Sequence, residues 1–204
     1  KDFTKYSVVI KDANKIKYYL EKAIYIANSN KPGPVWIDIP LDIQRTKINI
    51  SNLSSFKKPK LKNKNLNFSK LINLIKKSKK PVFVIGNGIR IGRAVNEIKK
   101  LSNLIKIPIL SSWNASDLLK VNDKNYIGKI GLFGDRASNF TIQSSDLVIV
   151  IGSRLSQPMT GYELSSFAPK AKIVMNEIDL AEIKKFSKKI NLFFNCDSKF
   201  FLKK

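Results

Sequence analysis

The sequence contains no histidine and a single cysteine, Cys196. A Ser-His-Asp triad, a Cys-His pair and a histidine-ligated metal are therefore excluded within this chain. One cysteine also excludes an internal disulfide and a cysteine-rich zinc site. Nine Gly and eight Pro in 204 residues are too few for a collagen-like or low-complexity chain. Long apolar runs are missing as well. The strongest, between Asp146 and Gly152, falls far short of the ~20 residues of a membrane helix, so no membrane association is expected. Acidic residues are scarce: 15 against 38 basic ones give a net charge of +23.

What remains is 43% hydrophobic, enough for a sizeable core in about one to one and a half domains. The positive charge would attract phosphate backbones or anionic lipid. It is carried almost wholly by lysine, with arginine only at 45, 90, 93, 136 and 154. The lysines are scattered, and asparagine is also abundant, which is what an AT-rich coding sequence produces. Readers of nucleic acid use arginine forks and aromatic platforms; neither clusters here, and no nucleic-acid partner is expected. Lys1 to Ile10 shows no signal peptide, and a lone free thiol fits a cytoplasmic setting.

Residues 12–29 predict a helix, with Ile16, Leu20, Ala23, Ile24 and Ala27 on one face and Asp12 as N-cap. The breaker cluster Asn28 to Gly33 ends it. Val35 to Ile39 then reads as a strand buried on both faces and closed by Pro40. In residues 46–68, Ser, Asn and Lys dominate and periodicity fails, which reads as a linker. Residues 1–45 thus belong to a different domain from 69–204.

From Ser69, read as a helix cap, helices and strands alternate. Strands are expected at Pro81–Ile85, Ile107–Leu110, Leu147–Ile151, Ala171–Ile178 and Ile190–Phe194. Helices are expected at Ile91–Ile105 and Asp135–Ser144, with a short one after Ile178. Such alternation implies an α/β fold: a Rossmann-like parallel sheet with helices on both faces, preceded by a helix-strand remnant of another α/β domain.

Ligands in such sheets sit beyond the carboxyl ends of the strands. Gly86-Asn87-Gly88 follows the first strand, but its spacing to Gly92 is not the dinucleotide fingerprint, and the second strand runs into Ser111-Ser112-Trp113 without an acid for ribose. The glycines either shape a tight turn or present helix N–H groups to a phosphate. Arg154, after Gly152-Ser153, could clamp a phosphate or pair with Asp146 or Glu177. Glu177 could accept hydrogen bonds from a ribose, while Asp179 suits a helix N-cap. Arg136 and Asn139 lie three apart on one helix face, to tie loops together or to touch a ligand. Asp42, near Asp38 and Pro40, reads as a turn residue. No carboxylate pair suggests an acid/base couple.

Pro32-Gly33-Pro34-Val35-Trp36-Ile37-Asp38-Ile39-Pro40-Leu41-Asp42 resembles the end of the N-terminal, pyrimidine-binding domain of thiamine diphosphate enzymes of the acetolactate synthase type. Lys80-Pro81-Val82, Gly86-x-Gly88, Gly131-x-x-Gly134, Asp146 to Arg154, Phe167 to Ile173 and Glu177-Ile178-Asp179 then resemble that family's central domain, in order. The resemblance implies residues 1–45 as the C-terminal piece of the first domain, 46–68 as linker and 69–204 as central domain. The glutamate that activates thiamine and the G-D-G…N motif for Mg2+ and diphosphate would lie outside this chain. It implies a whole enzyme that decarboxylates a 2-oxo acid and ligates the product to a second carbonyl. That enzyme would be a dimer or tetramer, with N- and C-terminal domains absent here and no activity in this part alone. The resemblance also carries FAD as a candidate cofactor. Its contacts would fall on Gly86, Asn87, Gly88, Leu132, Phe133, Gly152, Arg154, Glu177, Ile178 and Asp197. One departure stands out. The family run G-A-R-F-D-D-R-V-T-G has Ser156 in place of an aspartate and Pro158 in place of the second arginine. That removes a charge-assisted bond worth ~1.5–3 kcal/mol. A free-standing Rossmann-like nucleotide-binding or basic nucleic-acid-binding module is the alternative reading.

Overall fold

A computed structural model describes residues 3–59, 66–186 and 189–204. The chain forms two compact units, Lys1–Asn63 and Lys64–Lys204. Residues 1, 2 and 60–65, which belong to the expected first domain and linker, lie outside the described residues.

The first unit runs β1 (Tyr6–Val9), α1 (Ile16–Asn28), β2 (Val35–Asp38) and α2 (Leu41–Arg45). Asp12 accepts the N–H of Asn14 at 3.0 Å and caps the 3-10 turn that leads into α1. Strands β1 and β2 pair in parallel, Tyr6 opposite Val35 and Val9 opposite Asp38. β1 was not expected: four residues are too short for alternation to stand out from a loop. The strand at 35–38 is not buried on both faces as expected. Val9, Trp36 and Asp38, which alternation puts on one side, are exposed, Trp36 to 64%. A two-stranded sheet cannot cover both of its own faces, whatever the apolar content of its strands. Asp42 lies in the first turn of α2. The stretch read as linker is ordered at its start: Phe56 packs on Tyr18 and Tyr25, and its N–H donates to Glu21 Oε2 at 2.7 Å.

The second unit opens with α3 (Ser69–Lys77) and β3 (Pro81–Ile85). Ser69 is not the cap; Asn67 Oδ1, two residues earlier, takes the Ser69 N–H at 2.9 Å. α4 (Gly88–Ile91) and α5 (Val95–Leu104) replace the single helix expected over 91–105. The break falls at Arg93, whose φ of +53° no continuous helix admits. Then come β4 (Ile109–Ser111), β5 (Tyr126–Lys129), α6 (Arg136–Gln143), β6 (Leu147–Ile151) and α7 (Gln157–Thr160). β7 (Lys172–Asn176), α8 (Leu180–Lys185), β8 (Ile190–Phe194) and α9 (Ser198–Leu202) complete it.

The six strands form one parallel sheet in the order β5-β4-β3-β6-β7-β8. Counted within the unit this is 3-2-1-4-5-6, the doubly wound Rossmann order. Alternate side chains build two cores. Phe83, Ile85, Ile149 and Ile151 pack with Leu71, Ile98 and Phe201 on one face. Val82, Val84, Val148 and Val150 pack with Ile142, Phe167 and Ile183 on the other. All five residues of β6 are buried, as a central parallel strand requires. Full burial of one such side chain contributes roughly 1.5–3 kcal/mol. Among the described residues no helix is long and apolar enough to cross a membrane.

At the amino end of the sheet, Asp146 ties the α3–β3 turn to β6. Its carboxylate accepts from Ser78 Oγ and from the N–H groups of Lys79 at 2.7 Å and Lys80 at 3.0 Å. Asp146 is therefore at the wrong end of the strand to pair with Arg154, since β6 separates them.

Candidate functional site

Strand order reverses between β3 and β6, so their carboxyl ends frame the crevice of this fold. The two loops that leave those ends touch each other directly. Gly86 N–H donates to Ile151 O at 2.9 Å, and Gly88 N–H to Gly152 O at 2.8 Å. A side chain at Gly86 would place its Cβ 2.3 Å from Gly152 O, and one at Gly88 would stand 2.7 Å from the same atom. Gly152 adopts φ +60°, a conformation costly for any residue with a Cβ. Of the two readings of Gly86 and Gly88, the structure supports the tight turn. Two further N–H groups of the turn are occupied: Ile89 donates to Gly86 O at 3.1 Å and Arg90 to Asn87 O at 3.0 Å.

The other predicted positions also lie at this end of the sheet, in separate groups. Asp197 caps α9 through the N–H of Lys199 at 2.8 Å, and a Cβ on Gly92 would lie 2.8 Å from its Oδ2. Glu177 Oε1 accepts the N–H groups of Ile178 at 2.9 Å and Asp179 at 3.1 Å. Asp179 caps α8 through Ala181 N–H at 2.9 Å, as its position suggested. Leu132 and Phe133 are exposed, with the Phe133 ring stacked on Trp113 at 5.0 Å. The loop carrying them is fixed by Asn139, which accepts from Gly131 N–H at 2.9 Å and donates to Gly131 O at 3.0 Å. Asn139 therefore ties loops together, while Arg136 lies over the Phe140 ring at 5.5 Å.

Four residues with roles here escaped the sequence reading. Arg90 donates to Asn87 Oδ1 at 2.7 Å and to Asn114 O at 3.0 Å, and it pairs with Asp117. That hydrogen bond from Arg90 is the main reason the Asp117 carboxyl sits below its ordinary range. Asn176, fully buried at the end of β7, donates to Phe194 O at 3.2 Å and Cys196 O at 2.9 Å. Its Oδ1 accepts from none of the described residues. Glu182 and Lys185, one helical turn apart on α8, form an ion pair at 2.7 Å with the carboxylate buried. Only the last had a signal in sequence, an i, i+3 charge pair.

A cleft of about 370 Å³ opens between the segment after β6 and α8. Arg154, Gln157, Thr160 and Tyr162 line one side, and Glu182, Lys185 and Phe186 the other. Of the ten positions drawn from the resemblance, Arg154 alone lines it. Arg154 is exposed and pairs with no carboxylate among the described residues, Glu177 included.

Fold and site together define a doubly wound α/β domain whose loops converge at the switch point. Residues 68–204 match the family described as thiamine pyrophosphate enzyme, central domain. The chain is 34% identical over 190 residues to the probable acetolactate synthase large subunit of Methanocaldococcus jannaschii, covering 89% of this chain and 32% of that protein. It is 33% identical over 187 residues to the acetolactate synthase of Mycobacterium leprae, covering 89% and 30%. To acetolactate synthase 2, chloroplastic, of Nicotiana tabacum it is 32% identical over 192 residues, covering 91% and 28%. The chain belongs to the thiamine pyrophosphate enzymes and carries their central domain. It spans about a third of the length of the curated relatives it matches.

Proposed function

We propose that this chain is the scaffold portion of an acetolactate synthase-like enzyme. That enzyme decarboxylates a 2-oxo acid such as pyruvate and joins the two-carbon unit to a second carbonyl, as in branched-chain amino acid biosynthesis. The observation that carries the reading is the family match over residues 68–204 together with the similarity to acetolactate synthases over 89% of the chain. The match is to an enzyme domain, which favours this reading over a free-standing nucleotide-binding or basic nucleic-acid-binding module.

In this reading residues 1–45 close the pyrimidine-binding domain, 46–68 link, and 69–204 form the central domain. The bare sheet face at Val9 and Trp36 supports the first assignment, because parallel sheets are normally covered on both sides. Thiamine diphosphate acts as the electron sink of the decarboxylation when bound. Nothing at the switch point suits it or its Mg2+: among the described residues no cluster of three or more acidic, Cys or His side chains could hold a metal. Both are held by the domains that this chain does not contain. What these residues do is position: Arg90 ties the loop after β3 to the segment after β4, Asn139 fastens the loop after β5, and Asn176 ties β7 to the segment after β8. The enzyme assembles as a homo-oligomer and works in the cytoplasm.

The test is to express the complete coding sequence and the 204-residue chain side by side with pyruvate. The complete protein should form 2-acetolactate only with thiamine diphosphate and Mg2+, and the chain alone should form none. Turnover by the isolated chain, or a complete protein indifferent to thiamine diphosphate, overturns the reading.

A further inference from the structure

We infer that this central domain takes one anion-headed, flat organic group of about a single nucleotide's size, and that a flavin dinucleotide does not fit it. The inference rests on the central-domain reading above.

A dinucleotide lays its diphosphate across the switch point, against free N–H groups and glycines that let backbone approach it. Here the glycines bring backbone to backbone. Gly86 and Gly88 press on Gly152, and the N–H groups of all three have carbonyl partners in neighbouring strands and loops. Pro158, where the resemblance expects an arginine, adds a second closure. Its carbonyl accepts Leu132 N–H at 2.8 Å, and a Cβ on Gly131 would meet the same oxygen at 2.4 Å. α7 is thus seated on the Gly131–Phe133 loop, with a proline where the resemblance expects a guanidinium.

A cleft is open beside α8. At about 370 Å³ it lies at the low end of the ~300–1,000 Å³ of small-molecule sites. Its charges are simple. Lys185 is paired with Glu182, which leaves Arg154 as the cation without a carboxylate partner among the described lining residues. One guanidinium fork suits one phosphate or carboxylate. Leu155, Leu164, Tyr162 and Phe186 supply apolar and aromatic wall for a flat ring, and Gln157 and Thr160 supply hydrogen-bonding side chains.

The experiment is equilibrium dialysis of the 204-residue chain against adenosine monophosphate and FAD, repeated on the full-length gene product. Adenosine monophosphate should be retained at least as tightly as FAD. Arg154→Ala should weaken it tenfold or more without moving the urea midpoint, since Arg154 is an exposed side chain. Protein that purifies yellow, FAD retained tenfold more tightly than the monophosphate, no retention of the monophosphate by the full-length protein, or an unaffected Arg154→Ala variant each overturns the inference. Thiamine-dependent turnover is read separately. A yellow protein that makes 2-acetolactate sinks this inference alone, and a monophosphate-binding protein without thiamine-dependent turnover sinks the functional reading alone.

Discussion

Asp146 shows how much one side chain can fix. Burial alone would raise its carboxyl; the hydrogen bonds from Ser78 and from the N–H groups of Lys79 and Lys80 outweigh that and hold it below the ordinary carboxylate range. A carboxyl lowered in the folded state stabilises fully above its unfolded value of about 3.9, and the contribution disappears as pH falls through the folded value. Asp146→Asn should therefore cost about 1–3 kcal/mol at neutral pH. The gap to the parent protein should close below about pH 4. Urea titrations of both proteins from pH 7 to pH 2.5 check this, and a gap constant with pH refutes the assigned cause. Gly86 is the matching case for backbone. Its added Cβ at 2.3 Å from Gly152 O leaves only backbone to move, so Gly86→Ala should lower stability by ~1–3 kcal/mol. A calorimetric scan in which Gly86→Ala melts with the parent would show that the two loops part easily.

At the scale of elements, the carboxyl rim behaves as a set of loops fastened to one another. Asn139 fastens the Gly131 loop, that loop carries Phe133, and Phe133 stacks on Trp113, whose Nε1–H donates to Phe133 O at 3.3 Å. Asn139→Ala removes both bonds to Gly131 and should cost about 1–2 kcal/mol. In a Trp36→Phe background Trp113 is the only tryptophan, so the same change should shift its emission to the red. Unchanged emission would mean that the loop holds its place without Asn139. The strands that anchor these loops were legible because central parallel strands are continuous apolar runs: 81–85 and 147–151 fell where expected. The edge strand at 190–194 also fell where expected, although Asn191 interrupts its run. β5 was not legible, since Tyr126-Ile127-Gly128-Lys129 at the sheet edge is neither a run nor a clean alternation. The helix break at Arg93 was hidden because a single left-handed residue leaves no periodic trace. The site was legible in outline only. Loops after strands can be located from the strands, but whether a glycine meets a ligand or another loop is decided by a residue 66 positions away, as with Gly86 and Gly152.

The whole molecule divides unevenly in stability. The second unit has two apolar clusters, one on each face of a six-stranded sheet. In the first unit the buried apolar side chains among the described residues are Ile10, Ala13 and Ala23, two of them alanines. Hydrophobic stabilisation scales at ~25 cal/mol per Å² of apolar area buried, and a unit of ~60 residues buries a smaller fraction of its surface than a larger one. The net charge of +23 works against both units, and dissolved salt screens it. Hydrogen exchange in increasing urea should therefore release the amides of β1, α1 and β2 well before those of β3, β6 and β7. Raising NaCl from about 20 to 300 mM, which shortens the screening length from roughly 20 Å to 6 Å, should move both steps to higher urea. Protection lost at one common urea concentration would mean that the two units unfold as a single cooperative body, and that the small core of the first is not what limits it.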